Sequence, residues 1–435
     1  MKIKTVTILG ANGTMGSNVS GIFASFGNAK VYMVSRIIED SFEAKKKAAL
    51  SVRSEAIQRN LIPKGYEDLS ECINESDLIF ESVSEDFSVK EKIIQKIKGC
   101  LQTEPLIATG SSGLSIQKLS SLLPERLKSR FMGIHFYNPP YNLPACEVIP
   151  SEYTDDQVLE ATKNYLSGVL FRKVIQVKDS PAFLGNRIGF FFINKAMIFA
   201  EKYKAEGGTD YIDAILGPFS GRSMPPLVTS NFVGLDVHKA IVDNVFLNSH
   251  DPAIKSFKFP AYGDELIASG CLGRKSGGGL YKTITLENGK KEIHVYDIKD
   301  MKYRKRRKYF FPFSEKIVSL LKEGRYSDAI HGMINSDSPE AKICLEFLLE
   351  YICYSIYYSV ELTGDYHASD DVMATGFNWI PPLALIDAMG GKDLFLDVLN
   401  NVQEVDQDLK ECFVQLWSNI PSSKFDYRPF LKALN

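Results

Sequence analysis

The sequence predicts an α/β domain with a parallel sheet and helices on both faces, followed by all-α domains. Three observations carry this expectation. Short apolar runs alternate with polar, helix-forming stretches over the first part of the chain, as repeated strand–helix–strand units do. After Val177 the strand signals give way to helical ones. The 435 residues, 45% of them hydrophobic, are enough for two or three domains, each burying its own core.

Taken in order, the strand candidates are Thr5–Leu9, Val31–Val34, Leu78–Phe80, Leu106–Ala108 and Met132–His135. Thr154-Asp155-Asp156-Gln157 has the spacing of a capping box, opening a helix that carries Val158, Leu159, Ala161, Tyr165 and Leu166. Asp179-Ser180-Pro181 reads as a helix start, with a long helix expected from about Phe183 to Lys204. The glycine-rich stretch between Leu272 and Tyr281 closes this second unit, and Lys282 to Tyr309 is charged and hairpin-like, with Asn288-Gly289 as its turn. A final helical unit begins near Ser338, where the apolar residues of 345–362 crowd all faces and imply burial. The expected division is therefore 1–178, 179–282, a charged hairpin and linker over 283–337, and 338–435.

A net charge of −2 gives no electrostatic reason to expect nucleic acid or an anionic membrane as partner, so an anionic ligand must be held locally. The opening Met1-Lys2-Ile3-Lys4-Thr5 runs straight into a strand pattern without the features of a signal peptide, and the expected location is the cytoplasm. The apolar stretch Ile188 to Ala200, interrupted by Asn194 and Lys195, is too short and too polar to cross a bilayer. Seven scattered cysteines without a C-x-x-C pair read as reduced thiols, and no metal is expected. The basic run from Lys302 to Lys308 reads as solvated surface.

Directly after the first strand, Gly10-Ala11-Asn12-Gly13-Thr14-Met15-Gly16 opens a helix that leads to a second strand, the context of a Rossmann-type dinucleotide-binding fingerprint. Glycine lets the backbone approach a pyrophosphate, while the amides and dipole of the first helical turn receive its charge. Glycines at 10, 13 and 16 imply a loop one residue longer than G-x-G-x-x-G. The second strand ends Val34-Ser35-Arg36, without the acid that grips the ribose of NAD, so NADP stays open beside NAD. None of the twenty tyrosines is followed by lysine four residues on, which weakens a short-chain dehydrogenase reading.

One of only six histidines, His135, ends a strand candidate, where ligands of open α/β sheets bind. Twelve residues later Glu147 lies inside the apolar run Ala145-Cys146-Glu147-Val148-Ile149, where a carboxylate is costly unless paired. A histidine held and made more basic by a buried carboxylate is a base suited to oxidising an alcohol.

With these residues in place the sequence resembles the 3-hydroxyacyl-CoA dehydrogenase family over roughly residues 4–282. The resemblance runs through His135 and Glu147, Asn138-Pro139, Ser111-Ser112-Gly113-Leu114-Ser115-Ile116, and Asp179-Ser180-Pro181 through Asn186-Arg187. It implies catalytic roles for His135, Glu147, Ser112 and Asn186. The cofactor contacts it implies are Glu85, Lys90, Ser112, Asn138 and Lys275, joining Gly10, Asn12, Gly13, Thr14, Met15, Gly16, Ser35 and Arg36. Thr109-Gly110-Ser111 departs from the family's Ser-Asn-Thr. The stretch from Gly376 to Gly390 resembles a second, degenerate copy of the family's helical domain, implying a duplicated 6-phosphogluconate-dehydrogenase-C-terminal-like domain, as in the long bacterial β-oxidation enzymes but without their hydratase domain.

The implied activity is reversible NAD(P)-dependent oxidation of (S)-3-hydroxyacyl-CoA to 3-oxoacyl-CoA in fatty-acid β-oxidation. The alternatives are a dehydrogenase of a free hydroxy acid and a cofactor-binding, non-catalytic subunit of a β-oxidation complex. The implied partners are an acyl-CoA substrate, β-oxidation enzymes, and a second copy in a homodimer or a pseudo-dimer made by the duplicated domain.

Overall fold

The first apolar run forms strand β1, Thr5–Leu9, in the computed structural model, which describes residues 2–433. The chain divides into two units, residues 1–183 with 375–377 and residues 184–374 with 378–435. In the first unit β1 leads through α1 (Thr14–Ser25) to β2 (Lys30–Ser35), α2 (Ile38–Ser51) and β3 (Leu61–Gly65). The chain continues through α3 (Leu69–Asn74), β4 (Leu78–Glu81), α4 (Phe87–Cys100), β5 (Leu106–Thr109), α5 (Ile116–Ser120) and α6 (Glu125–Lys128). It ends with β6 (Phe131–Phe136), β7 (Ala145–Pro150), α7 (Asp156–Gly168) and β8 (Lys173–Gln176).

These strands form one eight-stranded sheet in the order β3-β2-β1-β4-β5-β6-β7-β8, so the strand order reverses between β1 and β4 and opens a crevice there. The expectation of a parallel sheet needs a correction at one edge. β7 pairs antiparallel with β6, and β8 runs parallel to β7. Only residues 137–144 join β6 to β7, too short a stretch for the helical crossover that a parallel pair requires. The core includes Phe23, Phe80 and Phe136, whose ring centroids lie 5.9–6.5 Å apart in edge-on and tilted contacts.

Two local expectations are also corrected. Asp155, not Thr154, caps α7, its carboxylate accepting from the amides of Gln157 and Val158. The Thr154 hydroxyl instead donates to the carbonyl of Phe131, tying the loop to β6. Asp179 starts no helix. It accepts from Ser115 Oγ and the Gln117 amide, both at 2.8 Å, and Ala182 and Phe183 adopt left-handed conformations (φ 64° and 52°) that a helix cannot contain. The helix therefore begins at Gly185.

The second unit contains α8 (Gly185–Lys202), α9 (Thr209–Ile215), α10 (Pro226–Val233), α11 (Leu235–Asn248) and α12 (Ala261–Ala268). An antiparallel sheet of β9 (Tyr281–Thr285), β10 (Lys291–Asp297) and β11 (Lys302–Lys305) follows. Then come α13 (Pro312–Lys322), α14 (Tyr326–Ile334), α15 (Pro339–Thr363), α16 (Ala368–Val372), α17 (Pro382–Ala388), α18 (Lys392–Asn401) and α19 (Gln407–Val414). The expected hairpin and linker is thus a three-stranded sheet and a helix pair. Phe313, Ile317, Leu321, Ile330 and Met333 are buried, giving α13 and α14 an apolar face that a linker would lack.

The basic run is only partly solvated, because Arg304 is held by Asp210 and Asp297 while Lys302 and Lys305 remain exposed. By length and composition α15, rather than the 188–200 stretch, could cross a membrane, yet 89% of its most apolar window is buried inside the protein. It packs on α8, where Lys195 Nζ bridges Glu346 and Glu350 at 2.6 Å each.

Two halves of this unit repeat one device. Asp213 accepts from the amides of Leu227 and Val228 at the start of α10, just after Pro225-Pro226. Asp370 likewise accepts from the amide of Leu383 at the start of α17, just after Pro381-Pro382.

Candidate active site

The loop from Gly10 to Gly16 turns between β1 and α1 at the point where the strand order reverses. Gly10 has φ +80°, and a Cβ there would lie 2.6 Å from the carbonyl oxygen of Ser82. A Cβ on Gly16 would lie 2.3 Å from the carbonyl oxygen of Gly10. Both positions therefore require glycine. Gly13 is the N-cap of α1 and brings no side chain over the amides of the uncharged first turn, Thr14 to Ser17. This arrangement fits the pyrophosphate of a dinucleotide. The extra residue, Asn12, is exposed at the loop tip and donates to Asp40 Oδ2 on the first turn of α2. At the end of β2, Ser35 is buried with its hydroxyl unpartnered among the described residues, and Arg36 is exposed.

The dyad follows from strand register. In the antiparallel pair β6/β7, His135 stands directly opposite Glu147. Both side chains project to the same face, and His135 Nδ1 lies 2.7 Å from Glu147 Oε2. His135 is 5% exposed and Glu147 is fully buried. The Tyr137 hydroxyl donates to the same Oε2 at 2.7 Å, and the His135 ring packs edge-on against Tyr137 and tilted against Phe183. At the end of β6, Asn138 Oδ1 accepts from Asn18 Nδ2 on α1, linking the dyad strand to the helix of the glycine loop.

Ser112 follows β5 in a loop held by one carboxylate. Glu85 Oε1 accepts from Ser111 Oγ at 2.6 Å and from the Ser112 amide at 2.7 Å. Ser111 Oγ in turn accepts from the Leu114 amide at 3.0 Å, so the departure at Thr109-Gly110-Ser111 is stabilised internally. Lys90 is 1% exposed, with Nζ 2.9 Å from both oxygens of Glu81 and 3.4 Å from Glu85 Oε2. Thr109 Oγ1 donates to Glu81. Lys90 is placed beneath the site as the buried counter-charge that holds Glu81 and Glu85.

The structure brings His135, Glu147, Ser112, Glu85, Lys90, Asn138, Ser35, Arg36 and the glycine loop into the first unit. Asn186 is buried in the first turn of α8 in the second unit. Lys275, also in the second unit, pairs with Asp236 at 2.6 Å. Sequence reasoning did not single out Tyr137, Glu81, Asp40 or Asn18. Tyr137 stands at the same alternation as His135, two residues on in the strand pattern, which is the signal that could have identified it. Asp40 and Asn18 come into play only through tertiary contact.

Two family models match the chain: 3-hydroxyacyl-CoA dehydrogenase, NAD binding domain, over residues 5–180, and 3-hydroxyacyl-CoA dehydrogenase, C-terminal domain, over residues 183–283. A probable 3-hydroxyacyl-CoA dehydrogenase of Bacillus subtilis (strain 168) is 27% identical over 418 residues, covering 90% of this chain and 51% of the relative. A probable 3-hydroxyacyl-CoA dehydrogenase of Deinococcus radiodurans is 31% identical, covering 65% of this chain and 83% of the relative. The crystal structure of 3-hydroxybutyryl-CoA dehydrogenase from Escherichia coli K12 superposes with a TM-score of 0.68 at 19% identity, covering 95% of this chain and 99% of that one, and shows the shared fold. The chain spans about half the length of several curated relatives it matches, 51–55%.

Proposed function

Because the chain belongs to the 3-hydroxyacyl-CoA dehydrogenase family, we propose that it catalyses the reversible oxidation of (S)-3-hydroxyacyl-CoA to 3-oxoacyl-CoA with NAD. The observation that carries this reading is the buried His135–Glu147 pair on β6 and β7 of a dinucleotide fold. Bound NAD would supply the hydride acceptor for carbon 3, and its reduced form the hydride donor in reverse. His135 takes the 3-hydroxyl proton at Nε2, since Nδ1 faces Glu147. Glu147 fixes the ring's tautomer and stabilises the imidazolium. The loop braced by Glu85 presents Ser112 toward the substrate oxygen, a role that rests on the family resemblance, which implies a catalytic role for Asn186 as well.

The glycine loop and first turn of α1 hold the pyrophosphate, with Ser35, Arg36 and Asp40 at the adenosine end. Asn138 is a further cofactor contact of this reading. The repeated Asp213 and Asp370 caps support a duplicated helical domain and hence a pseudo-dimer within one chain. Two relatives are named putative fatty acid oxidation complex trifunctional enzymes, which supports β-oxidation enzymes as partners. The seven free cysteines, four of them buried, support a reducing, cytoplasmic setting.

The test is reduction of acetoacetyl-CoA, followed by loss of nicotinamide absorbance with NADH and with NADPH, on wild type and His135→Ala. Wild type turns over with NADH as the better cofactor, and His135→Ala loses about 10³-fold in kcat. Binding of NADH without turnover of acetoacetyl-CoA, and with no oxidation of free 3-hydroxy acids by NAD, would favour a non-catalytic subunit.

A further inference from the structure

We infer that Tyr137 is a positioning residue that sets the basicity of the dyad through Glu147, an inference that rests on the catalytic reading of His135. Its hydroxyl and His135 Nδ1 address one oxygen, Glu147 Oε2, each at 2.7 Å. The carboxylate is fully buried and Tyr137 is 5% exposed, so solvent does not dilute either bond. Tyr137 cannot readily swing away. Within the first unit its ring meets Phe377 edge-on at 5.6 Å, and a Cβ built on Gly376 would lie 3.1 Å from it. The His135 ring also packs edge-on against it at 4.8 Å.

A hydrogen bond donated to a carboxylate stabilises its charge and lowers its pull on a neighbouring proton. Two donors on one oxygen therefore compete, and each weakens the other's hold. His135 is faced by the carboxylate of Glu147 from β7, by the Tyr137 phenol, and by the apolar ring of Phe183. Removing the phenolic hydroxyl takes one competing donor away from Oε2. Two consequences follow: the imidazolium is favoured, and the carboxylate is less firmly oriented. The ring of Tyr137 stays in place in Tyr137→Phe, so packing and ligand affinity should be retained.

The experiment compares wild type with Tyr137→Phe in two ways. The first is the titration of the His135 imidazole by nitrogen-15 NMR in the protein without ligands, assigned through the signal lost in His135→Ala. This readout needs no turnover and separates a failure of the inference from a failure of the proposed activity. The expected result is an upward shift of the His135 midpoint by about one pH unit. The second is acetoacetyl-CoA reduction, in which kcat falls about three- to tenfold at unchanged KM and the pH profile moves upward with the imidazole. An unmoved His135 titration in a folded Tyr137→Phe protein overturns the inference, as does an unchanged pH profile in an active one.

Discussion

Glu147 and Asp213 are carboxylates sealed from solvent, one in each unit, and each accepts a tyrosine hydroxyl, Tyr137 at 2.7 Å and Tyr281 at 2.8 Å. They differ in their remaining partners. Glu147 faces an imidazole near the end of β6, whereas Asp213 receives two backbone amides at the start of α10. A carboxylate facing a titratable ring can move a proton through that ring. One fixed by amides holds a helix start and does no chemistry. Burial pushes Asp213 up to about 7 against the opposing pull of the Leu227, Tyr281 and Val228 bonds. In the proposed mechanism, what distinguishes Glu147 from Asp213 is therefore its partner rather than its depth.

The sharpest way to break this comparison is a substitution at each acid. Glu147→Gln should lower kcat by about 10²-fold with the circular dichroism spectrum and unfolding midpoint nearly unchanged. Asp213→Ala should do the reverse, costing about 2–4 kcal/mol of unfolding free energy in urea titration with kcat per folded molecule preserved. Equal losses of activity in both variants would erase the distinction.

A smaller effect lies in the pH dependence of stability. Asp213 and Asp370 are both pushed up to about 7 by burial, from 3.8. Between those values the folded chain binds more protons than the unfolded one, so the stability they contribute falls as pH rises through that window. His238, buried and pushed down to about 3 from 6.5, works the other way. Its contribution is full above the unfolded value and is lost as pH falls. Relative to wild type, Asp213→Asn should lose stability as pH is lowered from about 7 to about 5, and His238→Asn should gain. Parallel melting curves for all three proteins across that range would contradict both assignments. The smallest effect is expected at the exposed Asn12–Asp40 contact, where Asp40→Ala should change unfolding free energy by less than about 0.5 kcal/mol. NADPH affinity should rise relative to NADH in a fluorescence titration, because a carboxylate beside the ribose end repels a 2′-phosphate. An unchanged ratio would remove Asp40 from cofactor selection.

Much of the first unit was legible because period and punctuation agree there. Thr5–Leu9 was placed to the residue, and the glycine loop announced itself by position. Edge strands were harder. Leu61–Gly65 contains Pro63 and Lys64, and Lys173–Gln176 is short and half exposed, so neither shows an apolar run. The start of α8 was misplaced because a proline after an aspartate is equally at home in a turn, and only the long-range bonds of Asp179 to Ser115 and Gln117 choose between them. The helix pair over 312–334 was hidden by the charge of the segment before it.

By itself the sequence determined the alternation that builds the sheet, the glycines that only a tight turn accepts, and the residue types of the dyad. Those are local properties, written in period, in φ and in side-chain chemistry. Tertiary structure decided that β7 runs against β6, which puts Glu147 opposite His135 and brings Tyr137 to the same oxygen. It also decided that Lys90 lies beneath the serine loop rather than on its surface. Register and burial are properties of paired segments, fixed when the whole sheet settles which face each side chain takes.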